Sequence, residues 1–311
     1  MMRLTIAVPC YNEAEVLPMA IESLNGVLER LVSKGKIDPR SKVVFIDDGS
    51  ADATWEAIES AAKTHAFVGG LKLAGNCGHQ NALLAGLMSL EGDAIVTLDA
   101  DLQDDPAVIE QMLDAHKAGF EIVLGVRRAR EKDSWHKRAS ALAYYRLLRL
   151  LGVRSQYNHA DFRLMGRRSI EVLREFGEVN VFLRGLVGSL GFRTSTVYYE
   201  RSGREAGSSK YSMSKMAGLA VEGIVSFSTA PLHAVAILGL LMFLGSLLIS
   251  MWALWVVFFT DRAVPGWASS VLPMYLLGGI QLLSLGVIGE YVGKTYFETK
   301  RRPRFVIEKS V

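Results

Sequence analysis

Residues 94–103, which read AIVTLDADLQ, decide the fold of this chain. The first five are mostly apolar or β-branched, as in a buried strand, and acidic and amide side chains follow directly. Where strands alternate with helices, ligands bind beyond the carboxyl ends of the strands. The sequence therefore predicts a strand at 94–98 that delivers polar side chains into a ligand crevice.

The same alternation of a short apolar run with a helical pattern extends over the N-terminal part of the chain. This order is typical of a mostly parallel, doubly wound α/β sheet, because each helix packs back on the sheet. Pro106 suits the first turn of a helix. The predicted strands are 4–8, 42–46, 70–73, 94–98 and 121–126, and the predicted helices are 15–34, 52–65, 80–90 and 106–118.

Asp99, Asp101 and Gln103 are spaced two residues apart, and on an extended chain such side chains point to the same face. Carboxylate and amide oxygens suit Mg²⁺ or Mn²⁺, which commonly lie between carboxylates and substrate phosphates. The three residues are therefore candidate metal ligands. The alternative is an acidic turn with solvated carboxylates, which the position at a strand end disfavours.

Three further polar clusters follow predicted strands, and each has a structural alternative. The segment PCYNE at 9–13 turns back over the sheet edge or merely caps the next helix. Asp47 and Asp48 can hold ribose hydroxyls or, with Asp52, form a turn and an N-cap. The segment NCGHQN at 76–81 opens a helix whose N-terminus can receive a phosphate, although its spacing matches neither a dinucleotide-binding motif nor a P-loop.

The C-terminal part of the chain is unusually apolar. Half of the 311 residues are hydrophobic and only 22% are charged. Residues 232–260 and 264–289 contain no Asp, Glu, Lys or Arg, and a bilayer core needs only ~20 apolar residues. The short connector between them predicts a transmembrane hairpin. Its basic C-terminal flank places the N-terminal domain in the cytoplasm by the positive-inside rule.

The remaining features bound the cellular context. The pattern at 134–151 predicts a basic amphipathic helix that either lies on a membrane or packs on the domain, and the pattern at 210–227 predicts an interfacial helix. No signal peptide is evident, and Cys10 and Cys77 fit a reducing compartment. A net charge of +3 gives no support for nucleic acid binding. The predicted domains are a sheet domain at 1–209, a juxtamembrane helix at 210–229, a hairpin at 230–293 and a basic tail at 294–311.

Together these clusters resemble a known family. PCYNE at 9–13, DDGS at 47–50, Asn76 with Gly78, and DADLQDDP at 99–106 occur in the order and spacing of family-2 glycosyltransferases of GT-A fold. The most similar subgroup comprises dolichol-phosphate mannosyltransferases and bacterial polyprenyl-phosphate (bactoprenol) glucosyltransferases. The resemblance covers the sheet domain and extends to the two-helix anchor, and its motifs are specific jointly rather than singly.

The resemblance implies roles for individual residues. Asp101 and Asp161 would be catalytic. Asp99, Asp101 and Gln103 would hold the metal and the donor diphosphate. Arg127 and Arg138 would meet the acceptor phosphate, and the loop 201–211 would be a mobile lid. The implied lid residues are Arg201, Ser209 and Lys210, and the implied nucleotide-sugar-binding residues are Pro9, Tyr11, Asn12, Glu13, Asp48, Asn76, Asp99 and Gln103.

The implied reaction is inverting, metal-dependent transfer of a hexose from a nucleotide-sugar to polyprenyl phosphate, such as undecaprenyl phosphate. The expected cofactor is Mg²⁺ or Mn²⁺, the first expected donor is UDP-glucose, and GDP-mannose is the alternative. The implied location is the bacterial inner membrane with a cytoplasmic catalytic domain, and enzymes of this type can form homo-oligomers. A processive polysaccharide synthase is disfavoured because the Gln-x-x-Arg-Trp motif is missing, and a non-catalytic scaffold because every acid of the metal cluster is present.

Overall fold

The computed structural model describes residues 1–127, 159–177, 183–200, 230–259 and 267–311. These residues divide into two compact units. The first contains the described residues up to 200 together with 301–311, and the second contains the described residues from 230 to 300. The predicted helices at 134–151 and 210–229 lie outside the described residues.

The first unit is built on one eight-stranded mixed sheet with the strand order β7-β5-β6-β4-β1-β2-β3-β8. Strands β1 to β4 pair in parallel, β6 lies antiparallel between β4 and β5, and β8 lies antiparallel beside β3. The strands are β1 (Leu4–Cys10), β2 (Lys42–Asp47), β3 (Val68–Leu73), β4 (Ala94–Thr97), β5 (Ile122–Arg127), β6 (His159–Gly166), β7 (Thr194–Tyr199) and β8 (Ile307–Ser310).

The helices of the first unit follow the strands as the sequence pattern predicts. Asp105 accepts a hydrogen bond from the Ala107 N–H and caps the short 3₁₀ turn Pro106–Val108, which leads into the fourth helix. The helices are α1 (Leu17–Ser33), α2 (Thr54–Thr64), α3 (His79–Ser89), α4 (Ile109–Lys117), α5 (Arg167–Glu175) and α6 (Leu183–Ser189).

The core lies where β1, β2 and β4 are covered by helices. Every residue of β1 is buried, as expected of a central strand with packed layers on both faces. Leu17, Ile21, Leu24 and Leu28 recur at three- and four-residue intervals on α1 and are all buried. Full burial of each such side chain stabilises the fold by about 1.5–3 kcal/mol.

The five strands and four helices predicted from the sequence are confirmed, with small shifts of their ends. The prediction of a mostly parallel sheet is correct for β1 to β4 but misses β6. This strand carries Asp161 and Arg163 in its middle, so it lacks the apolar run by which the other strands were predicted. Its antiparallel insertion pairs Arg163 with Thr97 and thereby aligns Asp161 beside the residues that follow β4.

The second unit contains two long helices, α7 (Ala230–Phe259) and α8 (Trp267–Lys300). Over the residues that the structure describes, no helix combines the length and the apolar character needed to cross a membrane. The hairpin expected at 230–293 therefore stays a prediction. Of the basic tail expected at 294–311, residues 294–300 lie in α8, and residues 301–311 belong to the first unit and supply the edge strand β8.

Candidate active site

The loops that follow β1 and β2 are joined by reciprocal hydrogen bonds. The Asn12 N–H donates to Ser50 Oγ at 2.9 Å, and the Ala51 N–H donates to Asn12 Oδ1 at 2.9 Å. The Glu13 N–H donates to Thr54 Oγ1 at 3.0 Å. Asn12 has a φ of 52°, a left-handed conformation that asparagine tolerates better than most residues. The polar segment 9–13 is thus held over the end of β2.

Asp48 joins the loop after β2 to the loop before α3. Its Oδ1 accepts a hydrogen bond from the Cys77 N–H at 2.8 Å, and its Oδ2 accepts one from the Gly78 N–H at 2.9 Å. Asp48 is buried, whereas Asn76 beside it is exposed. In the structure Asp48 therefore stabilises the packing of these two loops. Contact of Asp48 and of Asn76 with a nucleoside stays a prediction.

The first residue of α3 stands at the centre of the acidic cluster. His79 Nε2 lies 3.5 Å from Asp99 Oδ1 and 3.5 Å from Asp161 Oδ2. Helix α3, the segment after β4 and the start of β6 therefore meet at one point. The sequence placed His79 only within a candidate phosphate-binding helix start, and nothing in its spacing indicated contact with the two acids.

Asp161 is buried and held by several groups. Arg163 Nη2 donates to Asp161 Oδ1, and Gln80 Nε2 donates to Asp161 Oδ2 at 3.2 Å. Thr97 Oγ donates to the Asp161 carbonyl oxygen. Gln80 and Arg163 were not predicted as site residues. The available signal was the i, i+2 spacing of Asp161 and Arg163 on one strand, which puts both side chains on the same face.

Asp99 is the acid whose environment favours a cation most clearly. Burial raises its pKa to about 6, and repulsion from Asp161, Asp104 and Asp101 adds to this rise, while His79 opposes it. The side chain retains 33% exposure, but its Oδ1 is buried and accepts no hydrogen bond in the described structure. A bound cation would satisfy this oxygen and relieve the repulsion, so the Asp99 carboxylate is chemically suited to contact a divalent metal.

The predicted geometry of the metal ligands needs correction. Strand β4 ends at Thr97, a turn follows at residues 100–101, and Leu102 has a φ of 48°. Asp99, Asp101 and Gln103 are therefore not related by strand alternation. Within the described part of the chain, no group of three or more His, Cys, Asp or Glu side chains is gathered closely enough to hold a metal ion.

Asp101 and Gln103 lie in this turn, where the Gln103 N–H donates to Asp101 Oδ1 at 3.2 Å. Gln103 is buried, and its Nε2 has no hydrogen-bond partner in the described structure. Both residues thus lie close to Asp99 in the chain, and their role as metal ligands stays a prediction.

Arg127 forms a hydrogen-bonded ion pair with Asp104, which was not among the predicted site residues. Its Nε and Nη2 donate to the two carboxylate oxygens of Asp104, each at 3.0 Å, and its Nε lies 3.3 Å from the Tyr199 hydroxyl. Asp104 is only 2% exposed, so the carboxylate of this fork-like pair is shielded from water, while the Arg127 side chain is 24% exposed. Binding of an acceptor phosphate by Arg127 stays a prediction.

Several predicted site residues lie outside the described residues. Arg138 and the lid at 201–211, with Arg201, Ser209 and Lys210, belong to this group. Of the remaining nucleotide-binding candidates, Pro9 is buried in β1 and Tyr11 is 48% exposed at the strand end. The structure thus gathers the ends of β1, β2, β4 and β6 around one polar centre.

Gly49 provides a test of how closely the loops of the site pack. It has a φ of 68°, and an added Cβ would lie 2.5 Å from the Gly75 carbonyl carbon. We expect Gly49→Ala to destabilise the protein by about 2 kcal/mol or more, because of both backbone strain and this clash. Gly26→Ala, in α1 with nothing within 4 Å, should stabilise it by about 0.5–1 kcal/mol. Thermal unfolding of both variants checks this, and equal midpoints would contradict it.

Asp99 predicts a pH dependence of stability. Its pKa is raised from 3.8 to about 6, so the ionised form is disfavoured in the folded state. Because the folded state binds the Asp99 proton more tightly than the unfolded state does, protonation of Asp99 stabilises the fold. This contribution is complete below pH 3.8 and is lost as the pH rises through about 6. In the presence of a chelator, the unfolding midpoint of Asp99→Asn should therefore gain on wild type by roughly 2 °C or more between pH 4 and pH 7. A constant difference across this range would refute the expectation.

Comparison with known proteins agrees with this arrangement. The model of glycosyl transferase family 2 matches residues 5–174. The uncharacterized glycosyltransferase YkoT of Bacillus subtilis is 44% identical over 98% of this chain and 91% of its own length. The bactoprenol glucosyl transferase of Shigella phage SfII is 36% identical over 99% of this chain and 98% of its own.

Among solved structures, the mannosyltransferase PcManGT from Pyrobaculum calidifontis, in complex with GDP-Man and Mn²⁺, is similar with a TM-score of 0.47 and 18% identity. This match covers 95% of the present chain and 84% of that one, a likeness too distant to bear on function. The family match and the whole-length relatives, taken with the mixed α/β sheet, lead to one conclusion: this chain belongs to glycosyl transferase family 2 and is a glycosyltransferase of GT-A fold.

Proposed function

We propose that this enzyme transfers a hexose from a nucleotide-sugar, with UDP-glucose the first candidate donor, to polyprenyl phosphate such as undecaprenyl phosphate. The observation that carries the proposal is Asp99 Oδ1, which is buried, accepts no hydrogen bond and lies 3.5 Å from His79 Nε2 amid mutually repelling carboxylates at the strand ends. Such a site suits a cation paired with a diphosphate. The acceptor is suggested by a relative named bactoprenol glucosyl transferase, which matches 99% of this chain.

The donor diphosphate leaves with negative charge, and the residues after β4 would hold the metal ion that stabilises this charge. Asp99 and Asp101 would hold Mg²⁺ or Mn²⁺, with Gln103 as a further oxygen donor from the same turn. When bound, such an ion supplies Lewis-acid stabilisation of the departing diphosphate. Asp99 would then be held ionised by the cation, and repulsion from Asp161 would be reduced.

The acceptor requires orientation more than deprotonation. A phosphate monoester is largely ionised at neutral pH, so its oxygen is already a nucleophile. Arg127 and Arg138 would hold the acceptor phosphate, since guanidinium groups pair well with phosphate oxygens. The Nε and Nη2 of Arg127 donate to Asp104, so Arg127 would act on the phosphate through its charge or by exchanging this contact. Asp161 would orient the reacting groups. A single displacement of this kind inverts the anomeric centre, as the family resemblance implies.

The acceptor also requires a membrane. Removing a polyprenyl chain from the bilayer costs about 0.8 kcal/mol per CH₂, so the enzyme must work at headgroup level. The charge-free runs 232–260 and 264–289 and the exposed apolar side chains of α7 and α8 support a hairpin within the bacterial inner membrane. The catalytic unit would then face the cytoplasm. Large side chains more than half exposed include Leu241, Leu248, Trp252, Trp255, Leu282 and Leu285.

The reaction is tested by supplying purified enzyme in detergent or liposomes with undecaprenyl phosphate, Mn²⁺ or Mg²⁺, and labelled UDP-glucose. Sugar should move into the lipid phase with wild type, and chelation or Asp101→Ala should reduce the rate at least 100-fold, about the loss expected when a main charge stabiliser is removed. GDP-mannose is assayed in parallel to identify the donor. Folded wild type that makes no lipid-linked sugar from any donor would exclude the proposed acceptor.

The membrane assignment is tested separately by flotation. Full-length protein mixed with vesicles of bacterial phospholipid should float with the vesicles and resist extraction by high salt or alkaline carbonate. Resistance is expected because apolar burial, unlike a surface charge contact, is not screened by salt. Release of the protein by salt alone would show peripheral binding and contradict the hairpin.

A further inference from the structure

The Asp161 carboxylate is held on both of its oxygens by side chains from different elements. Arg163 from the same strand β6 donates to Oδ1, and Gln80 from the first turn of α3 donates to Oδ2. Asp161 is 5% exposed and Arg163 is 1% exposed, so the contact between these two side chains is shielded from competing water, whereas Gln80 is half-buried. The position of this carboxylate is therefore fixed by the protein before any substrate binds.

The same two side chains also bind the backbone at the start of α6. Gln80 Oε1 accepts a hydrogen bond from the Leu183 N–H at 3.3 Å, and Arg163 Nη1 lies 3.4 Å from the Leu183 carbonyl oxygen. Leu183 is completely buried, so it is a firm anchor for this end of the helix. Gln80 and Arg163 thus connect one carboxylate of the site with one residue of the backbone.

Each bridging side chain uses a different group for each of its two partners. In Gln80 the amide N–H₂ faces Asp161 and the amide oxygen faces Leu183, so neither group can rotate away without losing a bond. In Arg163 the two terminal nitrogens divide in the same way, and the planar guanidinium fixes the angle between them. A movement of Leu183 would therefore be transmitted to Asp161.

We propose that Gln80 and Arg163 are positioning residues that jointly orient the Asp161 carboxylate for transfer and couple its orientation to the start of α6. They act through Asp161 and do not touch the reacting atoms. The inference rests on the proposed function for its kinetic part, while its structural part stands on the contacts alone. In this arrangement Asp161 is a fixed anionic group, already supplied with hydrogen-bond donors, that aligns the sugar or the acceptor.

The kinetic test compares Gln80→Met, which keeps the length of the side chain but removes both hydrogen-bonding groups, with wild type. We expect kcat to fall about tenfold, the effect of losing one hydrogen bond to a charged group. The donor KM should stay within about twofold, since Gln80 does not bind the donor, and the unfolding midpoint should move by less than ~4 °C. Gln111→Met, an exposed glutamine on α4, is the matched control and should leave kcat unchanged.

Arg163→Lys provides the second kinetic variant. It keeps the positive charge but loses the planar fork, so it should retain the fold and still lower kcat without changing the donor KM. A purely structural role would predict loss of active protein with an unaltered kcat per folded molecule. An unchanged kcat in folded Gln80→Met, or an effect confined to KM, would overturn the proposal.

We call Gln80 and Arg163, together with the Asp161 carboxylate that they hold, the Asp161 clamp. A double-mutant cycle on the unfolding temperature tests the Asp161–Arg163 contact of this clamp without reference to any reaction. Asp161→Asn and Arg163→Met each remove one charge of the buried Asp161–Arg163 pair and should lower the unfolding midpoint by roughly 10 °C. The double variant removes both charges and should unfold at a higher temperature than either single variant. Additive losses would show that the two residues are not coupled, which overturns the proposal.

The kinetic measurements and the stability measurements together distinguish failure of the proposed function from failure of the proposed positioning role. If wild type makes no lipid-linked sugar, the proposed function fails, and the clamp is then judged by the stability cycle alone. If wild type is active and the losses of the two single variants add in the double variant, the proposed coupling fails while the function stands. Activity together with a kcat effect in Gln80→Met and rescue in the cycle supports both.

Discussion

The gathering of carboxylates at one edge of the sheet is the constraint on which the rest of the site depends. Asp99, Asp101, Asp104 and Asp161 lie close enough that their repulsion raises the pKa of Asp99. Such a cluster persists only where cations or hydrogen-bond donors offset the repulsion. The protein places an arginine beside two of these acids, Arg163 beside Asp161 and Arg127 beside Asp104. The first of these pairs lies on β6, which is inserted antiparallel between β4 and β5. The pairing of Thr97 with Arg163 brings Asp161 beside Asp99, while β5 delivers Arg127 to Asp104.

The loops on the other side of the centre solve a different problem. Segments that follow β1, β2 and β3 carry many polar backbone groups, and these must be paired if the loops are to pack. Asp48 accepts two backbone N–H groups from the segment before α3, and Asn12 exchanges hydrogen bonds with residues 50 and 51. The motifs that indicated a nucleotide-binding crevice are thus also the residues that hold the crevice together. One side chain can serve both purposes, because a carboxylate has more acceptor sites than these bonds occupy.

The sequence was sufficient for the alternating part of the fold because β1 to β5 are apolar runs separated by helical patterns. It was insufficient for β6, β7 and β8. Asp161 and Arg163 interrupt β6, only two residues of β7 are buried, and every residue of β8 is exposed. The site shows the same division. Residue types at a strand end identified Asp99, and the family resemblance identified Asp161. The partners His79 and Gln80 depend on register between distant segments, whereas the spacing of Arg163 from Asp161 was the one signal available in the sequence. Strand alternation also failed for residues 99–103, because Leu102 adopts a left-handed conformation that no spacing rule anticipates.

The edge strand β8 has a consequence for the order in which the molecule is made. Gly70 and Val311 exchange backbone hydrogen bonds, and Lys309 pairs with Glu59, so the outer side of β3 is closed by residues synthesised after both helices of the second unit. On the ribosome, β3 therefore remains an open edge while α7 and α8 are being produced. Open edges readily pair with other chains. The nascent protein thus keeps this open edge during synthesis of its most apolar segments, and chaperones that act at this stage would protect the sheet as well as the helices.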